Sequence, residues 1–446
     1  MNSDTISAVA TANGIGSIAI IRISGIKALD IAKKLTCKES FSPRYATLSN
    51  IYDFNNELID ESIVIYFKAP FSFTAEDVVE IQCHGGFIVA QNILKATIAY
   101  GARLAQPGEF SKRAFFNGRI DLSEAEAIAR LIEAKSEDGA KILAKQMKGS
   151  LKEYIENIRS EIIHILAYSE VSIDYAEEDL PEDLVLQIEE KLNRLKSSLQ
   201  STLVASRARE GIMQGFKVAI IGKPNVGKSS LLNALLSYNR AIVSDIAGTT
   251  RDTIEEQVKI GTHLIRIVDT AGIREAGDEI EKIGIERSLE AVRESDIVIA
   301  LFDGSRVCDA EDEEILSLLK TDAKDKHVLY IKSKTDLKQN FSHKDIVFDI
   351  EINSKESVEK LINALEGIMN QTNSSDEMML ISQRQISAVE NTLKNIDDSF
   401  LPLKEGELEI FSFCLNEAIK DISSITRPFE NDEMLDKMFG SFCLGK

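Results

Sequence analysis

Cysteine is sparse and unpatterned: Cys37, Cys83, Cys308, Cys414 and Cys443 are an odd set of five with no C-x-x-C pair. That argues against a disulfide framework or a cysteine zinc site and points to a reducing compartment. No apolar run approaches the ~20 residues that a membrane span needs, so no membrane partner is expected. The start, Met1-Asn2-Ser3-Asp4, is not basic and leads into no leader-like apolar core, so no signal peptide is expected and the expected location is the cytoplasm. Positive charge is in deficit, with 52 Lys and Arg against 72 Asp and Glu and a net charge of −20. The whole molecule is therefore no electrostatic trap for nucleic acid; an RNA substrate would need a local basic patch or a basic partner. Internal repeats and low-complexity segments are absent. Proline is missing between Pro107 and Pro181, which leaves that stretch open to long helices.

What is present begins with Gly222-Lys223-Pro224-Asn225-Val226-Gly227-Lys228-Ser229-Ser230. It follows the apolar run Phe216–Ile221 and opens the helix-like Leu231-Leu232-Asn233-Ala234-Leu235. Strand, glycine-bearing turn and helix start form a phosphate loop: successive N–H groups and the helix N-terminus face anionic oxygens. Lys228 would reach the β- and γ-phosphates and Ser229 would ligate Mg²⁺. Downstream, Ser244-Asp245-Ile246-Ala247-Gly248-Thr249-Thr250 supplies a threonine, Thr250, for Mg²⁺ and the γ-phosphate. Asp269-Thr270-Ala271-Gly272 follows the apolar run Leu264–Val268; its carboxylate can hold the metal's water shell and the Gly272 amide can sense the γ-phosphate. After the strand-like His327–Ile331 comes Ser333-Lys334-Thr335-Asp336. Asp336 accepts N1–H and N2–H₂ of guanine, which adenine does not offer, and Lys334 would pack over the ring. Ser333 stands where the usual guanine motif has Asn, which weakens one contact but leaves GTP favoured over ATP. Asn353-Ser354-Lys355 is the expected remaining base loop.

Two features set this site apart. Ile273 follows Gly272, where a Ras-like protein has a water-orienting glutamine. Another polar group has to orient the water; Glu281 is the candidate, a solvated acidic loop the alternative. Nor is an arginine obviously placed to enter the site in cis, although Arg251 and Arg274 are near in sequence. Such a finger is worth roughly 10³–10⁵ in rate. A monovalent cation could replace part of its charge, with Asn225 offering a carbonyl oxygen; Asn225 could equally be a turn residue.

Elsewhere, residues 1–118 read as a small α/β domain with strands at 18–23, 62–67 and 78–84. Cys83 beside His84 is a weak nucleophile–base pair, because neighbours on a strand face opposite ways. From 119 to 211 the period is helical (Leu151, Ile155, Ile158, Ile162, Ile165, Leu166; then Ile188, Leu192, Leu195, Leu199, Leu203), with a loop expected at 174–181. Phe411, Leu415, Ala418, Ile419 and Ile422 repeat that period near the end of the chain. The fold class expected is α/β plus all-α. A nucleotide domain at 212–370 would be inserted into one helical bundle built from 119–211 and 371–446.

Several stretches together resemble the MnmE (TrmE) family of tRNA-modification GTPases along essentially the whole chain. They are Ile21-Arg22-Ile23-Ser24-Gly25, Glu76-Asp77-Val78-Val79-Glu80, His84-Gly85-Gly86, Pro107-Gly108-Glu109-Phe110-Ser111, Asp121-Leu122-Ser123-Glu124-Ala125-Glu126-Ala127, the phosphate loop, Asp245–Asp252 and the terminal Phe442-Cys443-Leu444-Gly445-Lys446. The resemblance implies a GTP hydrolase needing Mg²⁺ and K⁺. K⁺ would be held by Asn225, Ser244, Ile246 and Thr249, and would act when two nucleotide domains meet, with Glu281 acting on the water. It also implies an N-terminal domain that dimerises and binds 5-formyl- or methylene-tetrahydrofolate through Arg22, Glu80, Arg119 and Lys446. Arg119 stands where the family often has lysine. It further implies a homodimer working with the FAD protein MnmG, as a heterotetramer, to install a carboxymethylaminomethyl-type group at C5 of the wobble uridine of certain tRNAs. Cys443 matches a terminal cysteine proposed to be catalytic. Two other uses of such a nucleotide site fit less well. A ribosome-assembly switch would carry a basic RNA-binding domain such as KH. A membrane remodeller would carry a basic amphipathic or lipid-inserting stretch. Neither is present.

Overall fold

The computed structural model describes residues 4–12, 14, 16–134, 136–174, 182–208, 215–238, 255–268, 290–324, 326–343, 348–352, 354–371, 378–427, 435, 438–440, 442 and 445. The chain packs as two compact units. One holds Met1–Arg130, Gln146–Leu192 and Ser387–Lys446; the other holds Leu131–Lys145 and Asn193–Ile386.

The first unit contains a sheet of β1 (Ile6–Val9), β2 (Ile18–Ser24), β3 (Thr47–Tyr52), β4 (Leu58–Phe67), β5 (Val78–His84) and β6 (Arg103–Leu104) in the order β3-β4-β5-β2-β1-β6. Pairing is antiparallel except between β1 and β6. In β5 the alternation is visible residue by residue: Val79, Ile81 and Cys83 are buried, while Glu80 and Gln82 are half-buried and His84 is exposed. Helices α1 (Ala28–Thr36) and α2 (Phe87–Ala99) cover the sheet, so Ile21, Ile23, Val64, Ile81, Ile31 and Ile93 share one core.

The same unit contains α3 (Glu109–Phe116), α4 (Leu122–Glu133) and α6 (Ser150–Asp174), α5 (Glu137–Met147) intervening. Farther on come α7 (Glu182–Ala208), which passes into the second unit from Asn193 on, then α11 (Gln383–Glu405), which passes into the first at Ser387, and α12 (Leu408–Ser423). Leu151, Ile155, Ile158, Ile162 and Ile165 are buried along α6, and Phe411, Leu415, Ala418 and Ile422 along α12. These two helices pack on each other, as the matching apolar stripes require. Leu122 and Ala125 of α4 join Leu435 and Phe439 in a further core, so parts of the first unit from before and after Asn193–Ile386 meet.

The second unit has a sheet of order β12-β11-β10-β7-β9-β8, built from β7 (Phe216–Ile221), β8 (Glu255–Ile260), β9 (His263–Val268), β10 (Ile297–Asp303), β11 (His327–Ser333) and β12 (Phe348–Asp349). Only β8 runs antiparallel to its neighbour. Every residue of β10 is buried, as expected for a central strand covered on both faces. Ile297, Ile299 and Leu301 enter one core, and Val298, Ala300 and Phe302 the core on the opposite face. Helices α8 (Lys228–Tyr238), α9 (Ala310–Asp322) and α10 (Lys355–Gln371) belong to the same unit, as do most of α5 and α7 from Asn193 on. Among the described residues, no helix is long and apolar enough to cross a membrane.

An ionic cluster ties the start of the first unit to α3. Arg113, with only 9% of its side chain exposed, donates to Asp4 at 2.7 Å, Glu109 at 3.2 Å and Glu76 at 3.2 Å. Arg103 donates to Asp4 at 2.8 Å and Glu109 at 2.6 Å. Burial opposes ionisation of Asp4 and Glu109, yet the arginine hydrogen bonds outweigh it and hold both carboxyls below their ordinary values. A carboxyl depressed in the folded state contributes stability above its unfolded pKa, and that contribution is lost as pH falls through the folded one. Arg113→Ala should therefore lower stability at pH 7 by about 1–2 kcal/mol, because three carboxylates lose a charged donor while Asp4 and Glu109 keep Arg103. In denaturant titrations the gap to wild type should narrow on acidification below the ordinary Glu value of 4.5. A gap independent of pH would contradict this assignment.

Candidate functional site

The loop between β7 and α8 is shaped by contacts behind it. Gly222 has φ 150°, and a Cβ there would land on the Leu301 carbonyl oxygen of β10. Gly227 has φ 104°, and a Cβ there would come within 2.9 Å of Ile352 Cδ1. Contact with backbone excludes a side chain at Gly222, while at Gly227 the left-handed backbone disfavours one. Between them, Val226 is buried in the sheet core, while Asn225 stands exposed at φ 62°, a left-handed conformation that Asn tolerates.

Lys228 Nζ donates to the carbonyls of Gly222 at 2.6 Å and Lys223 at 2.8 Å, which puts its ammonium group within the curl of the loop. Ser229 and Ser230 are exposed in the first turn of α8, where helix N–H groups lack intrahelical partners. Lys223 anchors the outer side, ion-paired to Asp309 at 2.6 Å and Asp312 at 2.8 Å at the start of α9. Curled backbone, helix N-terminus and enclosed ammonium make an anion cradle.

The expected base loop leaves the sheet at the end of β11. Ser333 is fully buried, and its hydroxyl lies 2.7 Å from the Val226 carbonyl oxygen and 3.0 Å from that of Phe302. The contact expected to touch guanine is thus made with the phosphate loop. Lys334 follows at φ 56°, its Nζ 2.6 Å from Asp303 Oδ2. Burial opposes the charge on Asp303, but bonds from Lys334 and Ser305 hold its carboxyl below the ordinary range. Asp336 is exposed. Ser354, whose amide donates to the Glu351 carbonyl, directly precedes α10.

In the first unit, Arg22 and Glu80 face each other across β2 and β5. Arg22 Nη2 lies 2.8 Å from Glu80 Oε1, and its Nη1 donates to the Gly445 carbonyl at 3.3 Å. The guanidinium also sits 5.4 Å from the Phe73 ring centroid and 5.6 Å from that of Phe110. Cys83 and His84 do point apart: Cys83 bonds the Ala19 carbonyl, and burial pushes its thiol up to about 11. His84 is exposed and bonds Asp60 at 2.7 Å.

A family model described as the MnmE helical domain matches residues 122–443, and one described as the GTP-binding protein TrmE N-terminus matches residues 5–119. The tRNA modification GTPase MnmE of Sulfurimonas denitrificans is 80% identical over 446 residues, covering 100% of both chains. That of Aliarcobacter butzleri is 60% identical over 444 residues, covering 100% of this chain and 99% of its own. That of Campylobacter jejuni is 49% identical over 444 residues, covering 100% of each.

The chain belongs to the MnmE family.

Of the residues the MnmE resemblance points to, Asn225, Val226, Gly227, Lys228, Ser229 and Ser230 come together in the cradle, and Lys334 and Asp336 in the base loop. Arg22 and Glu80 are paired, and Arg119 is exposed just past α3, its amide on the Ala114 carbonyl. Ser244, Asp245, Ile246, Ala247, Gly248, Thr249, Thr250, Asp269, Thr270, Ala271, Gly272, Glu281, Cys443 and Lys446 lie outside the described residues, as do Arg251, Arg274 and Asn353; of the loop expected at 174–181, Asp174 ends helix α6 and the rest lies outside the described residues. Sequence reasoning missed three supports of the cradle: the Lys223 ion pairs, the Asp303–Lys334 pair and the Ser333 hydroxyl. Only Asp303 left a trace, as a lone acid ending a wholly apolar run.

Proposed function

We propose that the protein is a potassium-dependent GTP hydrolase of tRNA modification, with the cradle of Gly222–Ser230 as its nucleotide site. GTP hydrolysis as such follows from family membership. The single observation that carries the site assignment is the Lys228 ammonium held on loop carbonyls beneath an exposed helix N-terminus. An incoming polyphosphate exchanges those carbonyls for its own oxygens. Ser229, Thr250 and Asp269 would hold Mg²⁺ and its water shell, a hard oxygen set suited to that ion. Asp336 and Lys334 select and cover guanine.

In this reading a K⁺ ion would supply positive charge beside the phosphates, in place of the missing arginine. Asn225, exposed at the tip of the loop in a left-handed conformation, supports it, because its side-chain oxygen is free to turn toward an ion there. Ser244, Ile246 and Thr249 would complete the ion's shell, and Glu281 would orient the attacking water. Two nucleotide domains of a homodimer would meet over the ion, and hydrolysis would drive their closure and release. The residues 212–370 would form that domain, inserted in a helical domain of 119–211 and 371–446.

Residues 1–118 would bind a tetrahydrofolate one-carbon donor. The Arg22–Glu80 pair beside the Phe73 and Phe110 rings offers both charge and flat apolar faces to such a heteroaromatic ligand. Arg119 and Lys446 would add positive charge, and Cys443 would act near the transferred group. The substrate would be the wobble uridine of certain tRNAs, modified at C5 together with an FAD-containing partner in the cytoplasm.

Steady-state GTPase rates in KCl against NaCl test the ion. The rate in KCl should be at least about tenfold higher, part of the roughly 10³–10⁵ an arginine finger supplies; equal rates would remove K⁺ from the mechanism. Glu281→Ala should keep GTP binding and lose about 10²–10⁴ in turnover, the range for a misplaced general base. Unchanged turnover would remove Glu281 from the mechanism.

A further inference from the structure

We propose that Ser333 is a positioning residue for the phosphates and not a reader of the base: its hydroxyl, donated to the Val226 carbonyl, sets the spacing between phosphate loop and base loop. The inference rests on the guanine-nucleotide reading above and adds what controls affinity in that site.

Ser333 has no exposed surface, and both oxygens within its reach are main-chain carbonyls, Val226 of the phosphate loop at 2.7 Å and Phe302 of β10 at 3.0 Å. A base edge has no access to this hydroxyl. The residue is held on its main chain as well, since the Gly304 amide donates to the Ser333 carbonyl at 2.9 Å. From this fixed point the chain turns outward. Lys334 takes a left-handed conformation and pairs with Asp303, and Asp336 reaches the surface two residues later. Ser333 therefore joins two halves of one ligand site, phosphates on Val226's side and guanine on Asp336's.

A hydroxyl has one proton to give, and here two acceptors lie within range. The shorter contact, to the phosphate loop, takes it, so a single hydrogen bond tethers that loop to β11. Without it the Val226 carbonyl, on a residue only 2% exposed, loses a buried partner. The loop N–H groups then lose their fixed distance from the base. The loss falls on phosphate recognition, while guanine selection stays with Asp336.

The test uses the full chain as wild type, Ser333→Ala and Ser333→Cys, with equilibrium dissociation constants for GDP, GMP and IDP in Mg²⁺. Wild type should bind GDP more tightly than GMP by the increment that the β-phosphate contributes. Ser333→Ala should shrink that GDP-to-GMP ratio about tenfold, the size of one net hydrogen bond. The GDP-to-IDP ratio, which reads the guanine 2-amino group, should not change. Ser333→Cys, close in volume and a weaker donor, should fall between the two. The proposal is overturned if Ser333→Ala leaves the GDP-to-GMP ratio unchanged, or if its loss appears in the GDP-to-IDP ratio instead. Wild type that binds no guanine nucleotide would sink the functional reading; wild-type binding with an unaltered Ala variant would sink this proposal alone.

Discussion

The proposed nucleotide site depends on how closely the Gly222–Ser230 loop is pressed onto the strands behind it. A polyphosphate is bound by backbone N–H groups only if they already point inward, because a slack loop would have to be ordered at the moment of binding. Here there is little slack. Gly222 lies against the β10 backbone where no side chain fits, Val226 is sunk in the core, Lys223 is ion-paired to the start of α9, and a buried hydroxyl reaches the Val226 carbonyl. Each support comes from a residue far along the chain, so the cradle is a property of the assembled parallel sheet and not of the short motif that marks it.

The same economy explains how an acidic chain can hold an anion. A net charge of −20 sets the far field, but the field in the cradle is set by Lys228, Lys223 and the first turn of α8. Lys223 is neutralised by two aspartates, which leaves Lys228 and the helix end as the positive groups inside the curl. In the first unit, too, charge is settled locally: Arg22 faces Glu80, and Arg113 and Arg103 face Asp4, Glu76 and Glu109.

Much of this was legible in the residues. The strands β2, β4 and β5 are runs of β-branched residues and the α6 and α12 stripes keep a helical period, so both were visible without coordinates. The short strands β1 and β6 and the polar β3 carry too few apolar residues to stand out, and only pairing with neighbours makes them strands. The phosphate loop was legible because its chemistry needs glycines and a lysine at fixed spacing. What holds that loop was not: Ser333 and Val226 are 107 residues apart, and a serine has no spacing rule that names its acceptor. The Arg113 cluster was hidden for the same reason, since its partners are spread from Asp4 to Glu109 and meet only when β1 and α3 are packed.

The central claim is that a pre-shaped phosphate cradle is coupled to a carboxylate that reads guanine. Calorimetric titration of GDP and ADP into the full-length protein with Mg²⁺ tests it most directly. The account predicts GDP binding with ADP at least about 10³-fold weaker, since adenine leaves the Asp336 carboxylate unpaired. Comparable affinities for the two nucleotides would contradict it.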